Sequence, residues 1–212
     1  FNGLVVAPPE AMMGDVGRIL YVHVPTAWVG LTTYLVAFIA AIGTLWTSKL
    51  CWDAMVEASV EVGVILNGLL LFQGSIWAKP TWGVYWTWDP RLTTSAVMVV
   101  AFGAILVLRK MIDQPPRRMT LSAVATIVAF VNVPITYMSV KWWRTLHQNF
   151  SSPETVSSAM VTPLRVAAFG MLFLATALVI RRWRIGYWRL SAEAAASDMP
   201  PKPAPLDLGV EV

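Results

Sequence analysis

From residue 19 to residue 48 the chain carries no aspartate, glutamate, lysine or arginine. About 20 residues at about 1.5 Å each cross a hydrocarbon core of about 30 Å, so such a run can span a bilayer. In lipid every backbone N–H and C=O must be paired within the protein, which leaves helices as the natural form of the span. The rest of the chain agrees. Of 212 residues 57% are hydrophobic and only 13% are charged, too apolar for a soluble domain of this size. The expected fold class is an all-α polytopic membrane protein surrounded by bilayer lipid.

Five spans are legible, at about 26–47, 54–77, 90–108, 120–140 and 163–181. Pro25 is expected in the first turn of the first span, with His23 just outside the helix. Pro134 removes one hydrogen bond from the fourth and should kink it, with Asn132 near enough to pair a freed group. One transmembrane domain, 1–190, is expected, with loops at 77–91 and 141–162 on the same side and a short helix starting at Ser152-Pro153-Glu154. The tail, 191–212, is rich in Ala, Pro and acidic residues and is expected to be disordered. The opening Phe1-Asn2-Gly3-Leu4-Val5-Val6-Ala7 reads like the end of something longer, so a further span upstream is expected.

Basic residues orient the spans. Lys49, Arg109, Lys110, Arg117, Arg118, Arg181, Arg182, Arg184, Arg189 and Lys202 collect on one side; Arg18, Lys79, Arg91, Lys141, Arg144 and Arg165 lie on the other. The positive-inside rule makes the first side, with the tail, cytoplasmic and the second external. The formal charge of +4 therefore reads as topology, and a nucleic-acid role is not indicated. Glu57 and Glu61, four residues apart near the start of the second span, are either functional intramembrane carboxylates or groups that reach the interface or a partner subunit; the second is favoured.

The external side holds Trp82-Gly83-Val84-Tyr85-Trp86-Thr87-Trp88-Asp89-Pro90-Arg91. Asp89 is a strong N-cap and Pro90 suits the first helical position, so a helix starts there. The rings before it are either an interfacial belt or a ligand platform, and composition does not choose. His23 and His147, the only histidines, fall on the same side. Two imidazoles and a flat aromatic shelf are what a haem site needs, and Arg91, Lys141, Arg144 and Arg165 are cations available to its propionates. Trp142 and Trp143 adjoin His147 and could complete the wall. Zinc is a poor rival, since two histidines leave it underliganded, and the methionines show no spacing suited to copper. Cys51 is the only cysteine, so haem could not be held by thioether bonds.

Trp82 to Thr93 matches the pattern WGxxWxWDxRLT and so resembles the tryptophan-rich haem-handling family of cytochrome c maturation. Tyr21-Val22-His23-Val24-Pro25 and Trp142-Trp143-Arg144-Thr145-Leu146-His147-Gln148 resemble the two histidine segments of its CcmC branch. The relatives CcmF and CcsA carry histidines inside spans, which this chain lacks. Pro90 stands where Ala is common. The resemblance implies six spans, no enzymatic activity, and transient non-covalent binding of haem b at the periplasmic face of the bacterial inner membrane. It implies His23 and His147 as axial ligands, Trp82, Trp86 and Trp88 as the shelf with Gly83, and Asp89 and Arg91 fixing the loop and a propionate, flanked by Trp142, Trp143 and Arg144. It further implies hand-over to the haem chaperone CcmE alongside the CcmA, CcmB and CcmD transporter subunits. Two alternatives are a b-type membrane electron carrier, which usually wants ligands within the bilayer, and a permease subunit using Glu57, Glu61 and Asn67.

Overall fold

Small residues on one face let the first two long helices meet. In the computed structural model, which describes residues 3, 5, 7, 9, 13–148 and 157–197, a 3-10 turn at Asp15–Ile19 leads into α1 (Leu20–Thr47), and α2 (Leu50–Trp82) returns antiparallel to it. Gly30, Thr33, Ala37, Ala40, Ala41 and Thr44 are buried along α1, and Ala54, Ala58, Ser59 and Gly63 along α2. In lipid there is little hydrophobic drive between helices, so close van der Waals packing of small residues has to supply the association. The contact is tight enough that a Cβ on Gly63 would lie 2.5 Å from the Tyr34 ring. Thr26, Thr33 and Thr44 donate back to carbonyls four residues earlier, so their hydroxyls are paired at these depths.

The remaining helices are α3 (Pro90–Met111), α4 (Pro115–Phe130), α5 (Asn132–Trp142) and α6 (Ser158–Ser197). Tyr34 stacks on Phe102 of α3 with ring centroids 3.7 Å apart, and Phe38 stacks on Phe130 of α4 at 4.3 Å. α4 and α5 form one broken span, interrupted at Val131. Pro134, without an N–H and with its ring against the carbonyl four residues back, accounts for the expected kink. Asn132 donates to the Thr94 carbonyl of α3 at 2.8 Å, so the break is bridged to a neighbouring helix. Among the described residues five helical segments are long and apolar enough to cross a membrane, in keeping with a multi-pass protein. Alternation of direction brings the start of α1, the end of α2, the start of α3, the end of α5 and the start of α6 to one end of the bundle.

Several boundaries differ from the sequence reading. α1 begins at Leu20 rather than at about 26, so His23 sits in its first turn rather than outside it; Arg18 steadies this start by bonding Asp15 and the Ala7 carbonyl. α2 continues through Pro80 to Trp82, where a loop had been expected from residue 77. Thr81 Oγ1 donates to the Trp77 carbonyl at 2.7 Å, and Gly83, at φ 79°, closes the helix with its N–H on the Lys79 carbonyl. Likewise α5 reaches Trp142 and α6 starts at Ser158, which shortens the second expected loop, 141–162, at both ends. The short helix expected at Ser152-Pro153-Glu154 lies outside the described residues. α6 runs past 190 to Ser197, where Glu193 pairs with Arg118 and Arg189, so the first part of the expected disordered tail is helical. Residues 198–212 lie outside the described residues.

At the end of the bundle away from the histidines, charge holds the helices together. Arg109 of α3, 6% exposed, donates to Asp53 at 2.6 Å and to Glu57 at 3.0 Å. Glu57 also accepts from Arg189 at 2.5 Å, and Glu61 from Arg182 at 2.5 Å. The two carboxylates that the sequence left for an interface or a partner subunit are therefore partnered within the chain, by cations from α3 and α6. A buried ion pair with one member removed leaves an uncompensated charge at a cost of about 3–5 kcal/mol. Arg109→Leu is expected to destabilise the protein by about that amount in thermal unfolding in detergent, and Asp53→Leu/Arg109→Leu by less than the sum of the two single changes.

Candidate functional site

The helix ends that alternation gathers at the other end of the bundle enclose a cavity of about 690 Å³. This lies within the range of about 300–1,000 Å³ usual for small-molecule sites. Its walls come from α1 (His23, Trp28, Leu31), α2 (Leu70, Gly74, Trp77, Trp82), the following loop (Trp86), α3 (Arg91), α5 (Tyr137, Val140) and the segment after it (His147, Gln148). His23 and His147, 124 positions apart in the chain, face one space. Trp77 and Trp82 meet edge to face at 5.2 Å, and Trp86 meets Trp88 in the same way at 6.0 Å. The walls are thus mostly apolar and aromatic, with two imidazoles and one guanidinium among them.

Each imidazole is held differently. The His23 ring lies against α2 at Gly74, where a Cβ would stand 3.3 Å from its Cε1. A glycine there lets the helix backbone approach the ring closely. The His23 Nδ1 is buried with no hydrogen-bond partner. His147 follows α5, whose last turn is closed by the Trp143 N–H on the Ser139 carbonyl. Its Nδ1 lies 2.8 Å from the Gln148 carbonyl. A carbonyl can only accept, so Nδ1 carries the proton and Nε2 keeps its lone pair, the arrangement a metal-ligating histidine requires. Burial pushes the His147 pKa below the ordinary histidine value; the Gln148 bond opposes this, the Arg91 cation adds to it and Asp89 opposes it. The imidazole is therefore neutral at neutral pH.

Asp89 does more than cap a helix. It is 8% exposed, and Oδ1 accepts from the Arg91 N–H at 2.9 Å and from Thr145 Oγ1 at 2.7 Å, while Oδ2 accepts from the Leu146 N–H at 2.7 Å. One carboxylate thus joins the aromatic loop, the start of α3 and the His147 segment. Arg91 lines the cavity, but Nη1 already donates to the carbonyls of Thr136 and Tyr137 on α5, so part of the guanidinium ties α3 to α5.

Not every residue expected at the site lines the cavity. Trp82, Trp86, Arg91 and the two histidines do; Gly83, Trp88, Asp89, Trp142, Trp143 and Arg144 do not. Trp88 is 82% exposed, while Trp86, two residues earlier, lines the cavity. Trp142 and Trp143 pack edge to face on each other at 5.9 Å and remain exposed, as expected of belt residues at the end of a span. Arg144 is exposed, and Lys141 and Arg165, the other cations considered, lie outside the lining. Sequence reasoning missed Trp28, Gly74, Trp77, Tyr137 and Thr145. Leu70, Gly74 and Trp77 stand at helical spacing inside the expected span 54–77, and that spacing is the signal that could have placed them on one face.

Among the described residues no three His, Cys, Asp or Glu side chains converge as a metal site would need. A second, polar cavity of about 790 Å³ lies at the opposite end, lined by Glu57, Glu61, Arg109, Arg118, Arg182 and Arg189 among others. Its charged walls suit a flat apolar ring far less than the first.

Residues 1–197 match the family described as Heme exporter protein C. The chain is 35% identical over 184 residues to Heme exporter protein C of Bradyrhizobium diazoefficiens, covering 84% of this chain and 70% of that protein. It is 34% identical over 184 residues to the Escherichia coli K12 protein of the same name, covering 86% and 75% respectively. A putative cytochrome c biosynthesis ccmC-like mitochondrial protein of Marchantia polymorpha is 30% identical over 173 residues, with 80% of this chain and 73% of that protein covered. With the match running through the start of α1, the tryptophan-rich loop and the end of α5, the chain belongs to the Heme exporter protein C (CcmC) family, non-enzymatic membrane components that handle haem for cytochrome c maturation.

Proposed function

We propose that the protein holds haem b, without covalent attachment, in the cavity between α1, α2, α3 and α5, with His23 and His147 as axial ligands of the iron. The observation that carries this reading is that both histidines, Trp82, Trp86 and Arg91 line a single space. The tryptophans offer flat apolar surface to the porphyrin, and the free Nε2 of His147 and the imidazole of His23 offer nitrogen donors. The unspent part of the Arg91 guanidinium is available to a propionate. Haem is cargo here, so the site must also let go. His23 belongs to α1 and His147 to the segment after α5, and a small separation of those elements breaks one iron bond and exposes a porphyrin edge.

On this reading the cavity faces the periplasm of a bacterium and the end bearing Arg109 and Arg189 faces the cytoplasm. The basic-residue count supports the orientation. The haem chaperone CcmE receives the cargo, and CcmA, CcmB and CcmD form the transporter with which the protein works. A permease centred on Glu57 and Glu61 is less well supported, because arginines already neutralise both carboxylates. A b-type electron carrier would need a haem that stays; both proposed ligands lie at the end of the bundle instead, near loops.

His147→Ala and His23→Ala are each expected to weaken haem binding more than the 10–100-fold typical of losing an outer support to a ligand, and to change the Soret band. Transfer to purified CcmE should fall with it. Parent-like binding and transfer by His147→Ala would remove the ligand assignment. A pH titration of the haem spectrum should show binding steady from about pH 8 down through the usual histidine range near pH 6.5. Loss should set in only below that range, because burial keeps the His147 imidazolium unfavourable and only the imidazolium cannot ligate. Gly74→Leu places a side chain where the His23 ring lies and is expected to lower haem affinity while leaving the protein folded, as judged by its unfolding temperature.

A further inference from the structure

His147 belongs to no helix, and the segment that carries it, from Trp143 to Gln148, needs some other means of holding its imidazole toward the cavity. Two side chains supply it. Asp89 accepts from Thr145 Oγ1 and from the Leu146 N–H, each at 2.7 Å, and Thr145 Oγ1 in turn accepts from the His147 N–H at 3.0 Å. The directions follow from chemistry. An ionised carboxylate only accepts, so the Thr145 hydroxyl spends its single proton on Asp89; its remaining lone pair then receives the His147 amide. Bonds to a carboxylate are the stronger kind, and this one caps the start of α3, where it also accepts from the Arg91 N–H.

We propose that Thr145 is a positioning residue for haem, coupling the His147 backbone to the Asp89 carboxylate so that Nε2 is aimed at the iron. This rests on the haem reading above. The residue itself does not line the cavity and touches no cargo; its effect passes through the backbone of His147. Valine has nearly the same shape as threonine but neither donates nor accepts, so Thr145→Val removes both bonds of the hydroxyl and leaves the Asp89–Leu146 bond. Thr145→Ser keeps the hydroxyl.

The test compares the parent, Thr145→Val, Thr145→Ser and His147→Ala as full-length purified protein, by haem titration and by the spin state of the bound ferric haem. Thr145→Val should bind haem roughly tenfold or more weakly, the order expected for losing an outer support to a ligand. Its spectrum should move toward the form His147→Ala gives, and added imidazole should restore the parent spectrum in both. Thr145→Ser should match the parent. If His147→Ala alters the spectrum while Thr145→Val keeps parent affinity and spin state, the positioning role is wrong and the haem site stands. Failure of imidazole to restore Thr145→Val when it restores His147→Ala would mark the hydroxyl as a folding requirement and overturn the proposal. A parent-like His147→Ala would overturn both readings.

Discussion

The close meeting of α1 and α2 is the constraint on which the other features depend. These helices carry His23 at one start and Trp82 at the opposite finish, and antiparallel packing is what puts the two side by side. Only small residues allow it, since Gly63 admits the Tyr34 ring and Gly74 admits the ring of His23 at intervals along one helix. Tyr34 then stacks on Phe102, so the α1–α2 pair also sets the position of α3 and, through it, of Asp89 and Arg91.

The two ends of the bundle divide the labour. At one end arginines from α3 and α6 converge on the carboxylates of α2, and the ion pairs draw those helices together. At the other end few charges meet, and the helix ends stand apart around an apolar cavity. The break at Val131 belongs to this division: it lets α5 take a different course from α4 and present Tyr137 and Val140 to the cavity, while Asn132 keeps the broken span fastened to α3.

Much of this was legible in the residues. The charge-free run from 19 to 48 announces a span, Asp89-Pro90 announces the start of α3, and Pro134 announces the broken helix. These are local effects of backbone pairing, capping and a missing N–H, and they act without the rest of the fold. Helix ends were less legible at Pro25 and Pro80, where proline was taken to bound a helix and instead lies inside one. There the hydroxyls of Thr26 and Thr81 bond carbonyls a turn earlier, and Gly83 supplies a stop beyond the proline.

The sequence by itself determined the class of the protein, the number of legible spans and the gathering of both histidines with the tryptophan-rich loop at one end, because spans alternate in direction and each run is long enough to cross. Which tryptophans turn inward was decided only by tertiary structure. Trp86 lines the cavity and Trp88 is exposed although they are two residues apart, and nothing in their identity separates them. The same holds for Asp89, whose carboxylate gathers Arg91, Thr145 and Leu146 from positions more than 50 residues apart, and for Glu57 and Glu61, whose partners come from α3 and α6. A side chain's partners across helices depend on how those helices rotate against one another, and that rotation is set by the whole packed bundle.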